Sequence, residues 1–442
     1  MRPGVDVISR ALPAPASPPT NTAIAFIVGP TANPSPQVAL ISSLTEFVDT
    51  FGDRGSGAAT VTYDAVDVYF REGGSQCYVS STTATSALAA VEASTEPSLD
   101  ADELAKQTRS ELDLLATSHA LDASEYATKQ ELIDALVALA PSPEPLAVDA
   151  GIAAALAALN KQLGPGQILI ADPTLAAAPA NQSALLAHAA ANNRVALCTC
   201  ADGTATALEA VGTALQADAN GRYGALFAPS AIVPGVVAGT TRTVPYSCVE
   251  AGIIARNDIS YSPNQPAAGV LGQAVFAIDL AATYADSDYE NLNGAGVNMS
   301  RIVYGGVRTY GYRALVDPIA SPTWLDFGNV RLNMAIVAEC EAVGESFVFS
   351  QIDGRGFTIS RFGGALDAVL APLYEEGSLY GETYADAYEV NVGSQVNTPD
   401  TIANGELHAV LSVRMSPFAE WVEIEIVKVA TTQTLPPVSA AA

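Results

Sequence analysis

The sequence predicts an α/β domain interrupted by a small helical module, followed by an α+β domain, with an extended strand-bearing arm at each end. Three observations predict it. Apolar strands alternate with short helical runs from residue 23 to about residue 290, the rhythm of a layered α/β domain. Between 82 and 145 that rhythm gives way to capped, leucine-rich helices, and beyond 290 the order becomes strand, helix, strand, helix and two strands.

Residues 1–22 open with "GVDVI", a short strand, and continue as "ALPAPASPPTNT", whose prolines favour an extended arm without a core of its own. The α/β domain begins with "TAIAFIVG", "VALISSLTEFVDTFG" and "AVDVYFREGGSQCYVS". It resumes after the insertion with "VDAGIAAALAALNKQLGPGQILIADPT" and "ANQSALLAHAAANNRVALCTCADG", each a helix followed by a buried strand, then a helix at about 203–218 and "VEAGIIARND". The segment "YADSDYENLNGAGVN" reads as a polar loop. Residues 291–430 contain the strands "NMSRIVYGGVRTYGYRALV", a helix at about 329–343, strand "ESFVFSQ", a helix at about 360–376, strand "YADAYEVNV" and a final strand. In that last strand, "AEWVEIEIVKVA", Val422, Ile424 and Ile426 share one face and Glu423 and Glu425 the other, the alternation of a half-buried strand. It needs a partner, and nothing after it except the tail 431–442 is available, so an earlier strand or another molecule must meet it.

At 442 residues the chain is long enough for two or three cores. Its net charge of −27 repels phosphate backbones and anionic membranes, so neither nucleic acid nor the membrane surface is an expected partner. The insertion at 82–145 carries two capping boxes, Thr108 with Glu111 and Thr128 with Glu131, and resembles small helix-extension-helix modules, some of which bind DNA. Acidic residues outnumber basic ones between 98 and 140, the wrong sign for that use; a protruding surface module is the expectation. The five cysteines are odd in number and scattered, which suits buried reduced thiols rather than a disulfide framework. The start has no basic-then-apolar signal sequence, and no window has the apolar length of a membrane span.

Chemistry is sparse. No nucleophile elbow, phosphate loop or zinc motif occurs, and His119, His188 and His408 are isolated; each reads as structural or surface. The glycine pairs in "REGGSQ" and "YGGVR" read as tight turns between strands. No catalytic, cofactor or metal site is expected, and the chain is not read as an enzyme.

Taken in order, the segments resemble the tail sheath proteins of contractile phages and related contractile injection systems. The N-terminal match is "PGVDVI", "TNTAIAFIVGP", "ISSLTEFVDTFG" and "AVDVYFREGGSQCYVS", similar to the family's arm, first strand, helix and Gly-Gly hairpin, with Arg71 and Glu72 where an asparagine is common. The middle match is "VPYSCVEAGIIARNDISYSPNQPAAG". The C-terminal match combines "NMSRIVYGGVRTYGYRALV", "WLDFGNVRLNMAIVAECEAVGESFVF" and "VNTPDTIANGELHAVLSVRMSPFAEWVEIEI" in the family's order.

The resemblance implies a structural subunit. Subunits form hexameric rings stacked helically around an inner tail tube, with baseplate and tail terminator proteins at the ends, and contraction drives the tube through a cell envelope. Terminal arms exchange strands between neighbours, so Val5 and Val7 would mark the donated N-terminal strand and Val422, Ile424 and Ile426 the C-terminal one. The 23–290 domain would be subtilisin-like in fold, the insertion would face outward and the C-terminal domain would face the tube. The expected location is a virion tail assembled in host cytoplasm; the alternatives are a sheath of a non-phage injection system and a subtilisin-like hydrolase.

Overall fold

The computed structural model describes residues 20–55, 57, 59–82, 128–129 and 147–420. Its centre, among the described residues, is an eight-stranded sheet ordered β11-β10-β6-β5-β4-β1-β3-β2. The strands are β1 (Ala25–Pro30), β2 (Val38–Ile41), β3 (Cys77–Thr82), β4 (Gln167–Ile170), β5 (Val195–Thr199), β6 (Gly224–Ala228), β10 (Val297–Val303) and β11 (Gly306–Thr309). Six are parallel, and β2 and β11 lie antiparallel at the two edges. Near-continuous apolar runs such as "AFIV" and "ILI" form the parallel strands because both faces are covered.

Ile27, Leu169, Leu197 and Phe227 point to one face, where they pack on helices α1 (Leu44–Phe51), α2 (Ala59–Arg71) and α7 (Tyr246–Ser260). Phe26, Ile168, Cys198 and Leu226 point to the other, toward α3 (Ala150–Ala158), α4 (Pro173–Ala177), α5 (Pro179–Ala191), α6 (Ala205–Gln216) and α8 (Asp286–Gly294). The result is three layers, helix on sheet on helix. A small sheet of β7 (Ala231–Pro234), β8 (Thr241–Val244) and β9 (Asp279–Leu280) packs on the first core.

A further core gathers Leu332, Ile336, Leu370, Leu379 and Tyr388 around helices α9 (Phe327–Glu345) and α10 (Phe357–Glu375). It carries α11 (Tyr384–Ala387), α12 (Pro399–Ala403) and a two-stranded antiparallel sheet of β12 (Tyr388–Asn391) and β13 (Val410–Val413). Helix α9 belongs to both bodies: Phe327, Val330 and Met334 enter the sheet core, Leu332 and Ile336 the second one.

Several expected elements differ. The residues 297–309, assigned from sequence to the C-terminal domain, extend the large sheet instead, because β10 pairs parallel with β6; the sheet therefore crosses the expected 290/291 division. "AVDVYFR" is the end of α2, so "REGG" turns a helix into β3 and no hairpin forms there. The polar segment at 286–294 is helix α8, started by Asp288, whose carboxylate accepts the Ala285 N–H. "ESFVFSQ" is not a strand: α9 runs to Glu345 and hydrogen-bonded turns follow, with Phe349 at φ +63°. "YGGVR" behaves as expected, Tyr304 and Gly305 both taking positive φ in the two-residue turn from β10 to β11.

Candidate assembly surfaces

The strand-exchange residues Val5, Val7, Val422, Ile424 and Ile426 lie outside the described residues, as does most of the insertion at 82–145. The structure describes the residues next to those segments, 20–22 and 418–420, here called the arm roots.

At the N-terminal root, Asn21 Oδ1 accepts the Ala23 N–H, and the Thr22 hydroxyl donates to Asp258 Oδ2 at 2.8 Å. Asp258, on α7, also receives Arg331 Nη2 of α9 at 2.5 Å; the two side chains are only 3% and 1% exposed. Arg331 Nη1 donates further to the Pro263 carbonyl at 2.8 Å. Burial alone pulls the guanidinium's pKa down, and Asp258 and Tyr312 more than reverse this, so the net shift is upward. The pair is a desolvated ion pair that joins the arm root to α7 and to α9.

The C-terminal root sits one helical turn away on α9. Gly328 is the glycine that lets this contact close: a Cβ there would lie 2.2 Å from the Asn264 carbonyl oxygen and 3.3 Å from the Phe418 ring. Arg313 holds Glu420 through Nε at 3.0 and 3.1 Å, and Nη2 adds a further contact. Phe418, Ala419 and Glu420 line a groove of about 730 Å³, which also takes in Gly328 and Tyr312.

The two-stranded sheet offers a different feature. Arg414 N–H donates to the Ala387 carbonyl at 2.8 Å, which fixes the alternation: Val410 and Ser412 direct their backbone groups toward β12, whereas Leu411 and Val413 direct theirs outward. By the same register Tyr388 and Val390 of β12 face out. Among the described residues no strand pairs with these outward groups; the Tyr388 N–H is taken by the Tyr384 carbonyl of α11, which leaves the β13 edge and the Val390 end of the β12 edge open. The edge of β11, by contrast, is met by the segment 269–274, with Ala274 N–H on Val307 O at 2.9 Å and Thr309 N–H on Gly272 O at 3.0 Å.

Arg194, His188 and four of the cysteines are committed to packing. Arg194 is buried, lies 3.7 Å over the Phe26 ring, and donates to the carbonyls of Leu159, Asn160 and Gly164 and to His188 Nε2 at 2.9 Å. Burial, and then that guanidinium, push His188 down to about 4, so the ring is a neutral acceptor. His408 is exposed beside Glu406, and His119 lies outside the described residues. Cys77, Cys198, Cys200 and Cys248 are free and buried; burial raises each thiol well above its ordinary range. The carboxyl ends of β1 and β4, where open α/β sheets commonly take ligands, are closed: a Cβ on Gly29 would meet Thr62 Oγ1 of α2 at 2.4 Å. Among the described residues no cluster of metal-ligating side chains occurs and no helix is long and apolar enough to cross a membrane.

Sequence reasoning missed the Thr22–Asp258–Arg331 network and Glu72. The signal for the first was present: a lone arginine inside the apolar helix "FGNVRLNMAIV" calls for a buried carboxylate. Glu72, also buried, accepts the N–H groups of Val275, Phe276 and Ala277 at 2.7 to 3.0 Å and so pins the loop after α7.

This is the fold of contractile sheath proteins. A chain of the contracted helical sheath of the anti-feeding prophage matches with 18% identity and a TM-score of 0.61, covering 96% of this chain and 98% of that one. A chain of the contracted sheath complex of the extracellular contractile injection system PVC matches with 17% identity and a TM-score of 0.61 over 97% of both. A chain of the anti-feeding prophage baseplate matches with 18% identity and a TM-score of 0.62, covering 97% and 99%. No protein-family model and no curated protein sequence matches the chain.

Proposed function

We propose that the chain is the structural subunit of a contractile tail sheath, assembling as hexameric rings stacked around an inner tail tube and contracting to drive the tube through a cell envelope. The observation that carries this reading is the two-stranded sheet, open along β13 and at the Val390 end of β12, set on a fold shared with chains of two contracted sheaths. Two edges suit two arms. On this reading one edge receives the strand marked by Val5 and Val7 of a neighbour, and the other the strand marked by Val422, Ile424 and Ile426 of a second neighbour. Strand addition supplies main-chain hydrogen bonds and buries alternate side chains. At about 3.1 Å per residue, the proline-rich stretch ahead of Thr20 spans some 30 Å, enough to cross between subunits.

On this reading the three-layered sheet body, which takes in β10 and β11, is the subtilisin-like part, residues 82–145 an outward-facing module, and the body of α9 to α12 with β12 and β13 the tube-proximal part. The free energy of contraction is stored in an extended lattice and released by re-packing of near-rigid subunits, so no nucleotide and no catalytic residue is needed. Partners are other copies of the chain, the tube, the baseplate and a terminator. The second reading is a non-phage injection system, favoured by the match to a sheath chain of an extracellular contractile injection system.

The test is electron microscopy of the purified full chain across concentration and salt. Striated hollow tubes or stacked rings are expected, and deleting residues 1–19 should abolish them; tubes from the deleted chain would overturn the strand-exchange reading.

A further inference from the structure

The groove beside the C-terminal arm root has a chemistry of its own. Its lining includes the Pro266–Val270 segment, with Val270 76% exposed, the Tyr310 ring, 52% exposed, and Phe418. Asp326 and Glu420 add two carboxylates. Glu420 is held by Arg313, whereas no hydrogen bond joins Asp326 to a cation. Burial and then the Glu420 charge raise the Asp326 pKa, against a smaller opposing pull from Arg313. An aromatic-lined cleft with carboxylates at hand is the kind of surface that takes a proline-rich, cation-bearing segment in extended form.

One segment of this chain begins in the groove, after Glu420, and a second meets the body at Thr20, whose near neighbour Thr22 is linked to the groove wall through Asp258 and Arg331. The segment after Glu420 carries Glu423 and Glu425 against Lys428, the wrong sign. The segment before Thr20 is "RALPAPASPP", with Arg10 its one charge. Its root at Thr22 is tied to Asp258 and through Arg331 to Pro263, two residues before the groove wall begins at Gln265. We infer that the groove is the seat of this chain's own proline-rich segment, residues 13–19, with Arg10 facing the Asp326 and Glu420 carboxylates. Seven residues in polyproline form span about 22 Å. Docked this way the tether leaves the body in one direction and presents residues 4–9 beyond it, which deepens the strand-donating role proposed above.

The test uses the full chain with Pro15→Cys paired with Val270→Cys, and as a control Pro15→Cys paired with Thr206→Cys, an exposed position on α6 across the sheet. An equal mixture of isotope-labelled and unlabelled chains is oxidised at a concentration too low for assembly, and disulfide-linked peptides are read by mass spectrometry. An undocked tether samples both cysteines at comparable effective concentration whereas a docked one holds residue 15 against Val270, so the Val270 pair is expected to cross-link about tenfold or more over the control, with both peptides of one isotope. Adding Arg10→Glu should lower that yield several-fold. Yields equal to the control, or unchanged by Arg10→Glu, would overturn the assignment. Mixed-isotope pairs would move the occupant to a second copy and equally overturn it. Tube formation is not needed for this readout, so the sheath reading and the groove assignment fail separately.

Discussion

Arg331→Met should be among the most damaging single substitutions in the described chain. Asp258 and Arg331 are 3% and 1% exposed and 2.5 Å apart, so each charge is held out of water by the other. Removing the arginine leaves the Asp258 carboxylate with the Thr22 hydroxyl as its remaining donor. Breaking a buried pair from one side costs about 3–5 kcal/mol, because an uncompensated charge stays behind, whereas replacing both members by neutral groups costs far less. Asp258→Asn should therefore cost a similar amount, and the double variant no more than either single. The cycle gives a coupling energy of roughly 3–5 kcal/mol, read from urea unfolding at constant slope by tryptophan fluorescence. Additive costs, or single costs below about 1 kcal/mol, would refute the claim that this pair is desolvated and joins the arm root to α7 and α9.

Two further outcomes follow from individual contacts. Glu250 is wholly buried on α7, accepts the Thr309 hydroxyl at 2.5 Å, and is pushed up to about 8 by burial, which outweighs that bond and the charge of Arg331. Its folded value exceeds its ordinary 4.5, so its contribution is full below that value and is lost as pH rises toward about 8; Glu250→Gln should raise the melting temperature at pH 8.5 and change it little at pH 5. Leu411→Pro removes an outward N–H from β13 without touching the bonds to β12, so the circular-dichroism spectrum should persist while tubes disappear from micrographs; normal tubes would show that this edge takes no strand.

Much of the parallel sheet was legible because strands buried on both faces are written as short apolar runs, and "AFIV", "ILI" and "VALCT" are such runs. Helices α9 and α10 were legible from their spacing to within a few residues. What was not legible depends on distant partners. The 290/291 division fails because β10 finds β6, a pairing that local pattern does not encode. The segment 286–294 has too little apolar periodicity to announce a helix; it is held through Leu292 against the sheet core. "SFVFS" has strand composition, yet Phe347 is occupied by the Phe362 ring of α10, and the chain turns instead of extending. For the assembly surfaces, the sequence predicts terminal strands without partners, which lie outside the described residues, while the open sheet depends on β12 pairing with β13, a contact that local pattern does not encode.

On the proposed function, a subunit that turns within its lattice without unfolding needs its intersubunit connections attached to well-packed structure. Both arm roots meet this requirement: Thr22 reaches the Asp258–Arg331 pair, and Phe418 packs on Gly328, one turn earlier on the same helix. That helix enters the sheet core through Phe327 and Val330 and the second core through Leu332 and Ile336. Tension on either arm would therefore be delivered to a helix packed on both sides, where displacement costs many buried contacts at once. On the proposed function the consequence is directional. Rotation of a subunit is taken up beyond the roots, in the arms, because the anchoring turn of α9 yields last.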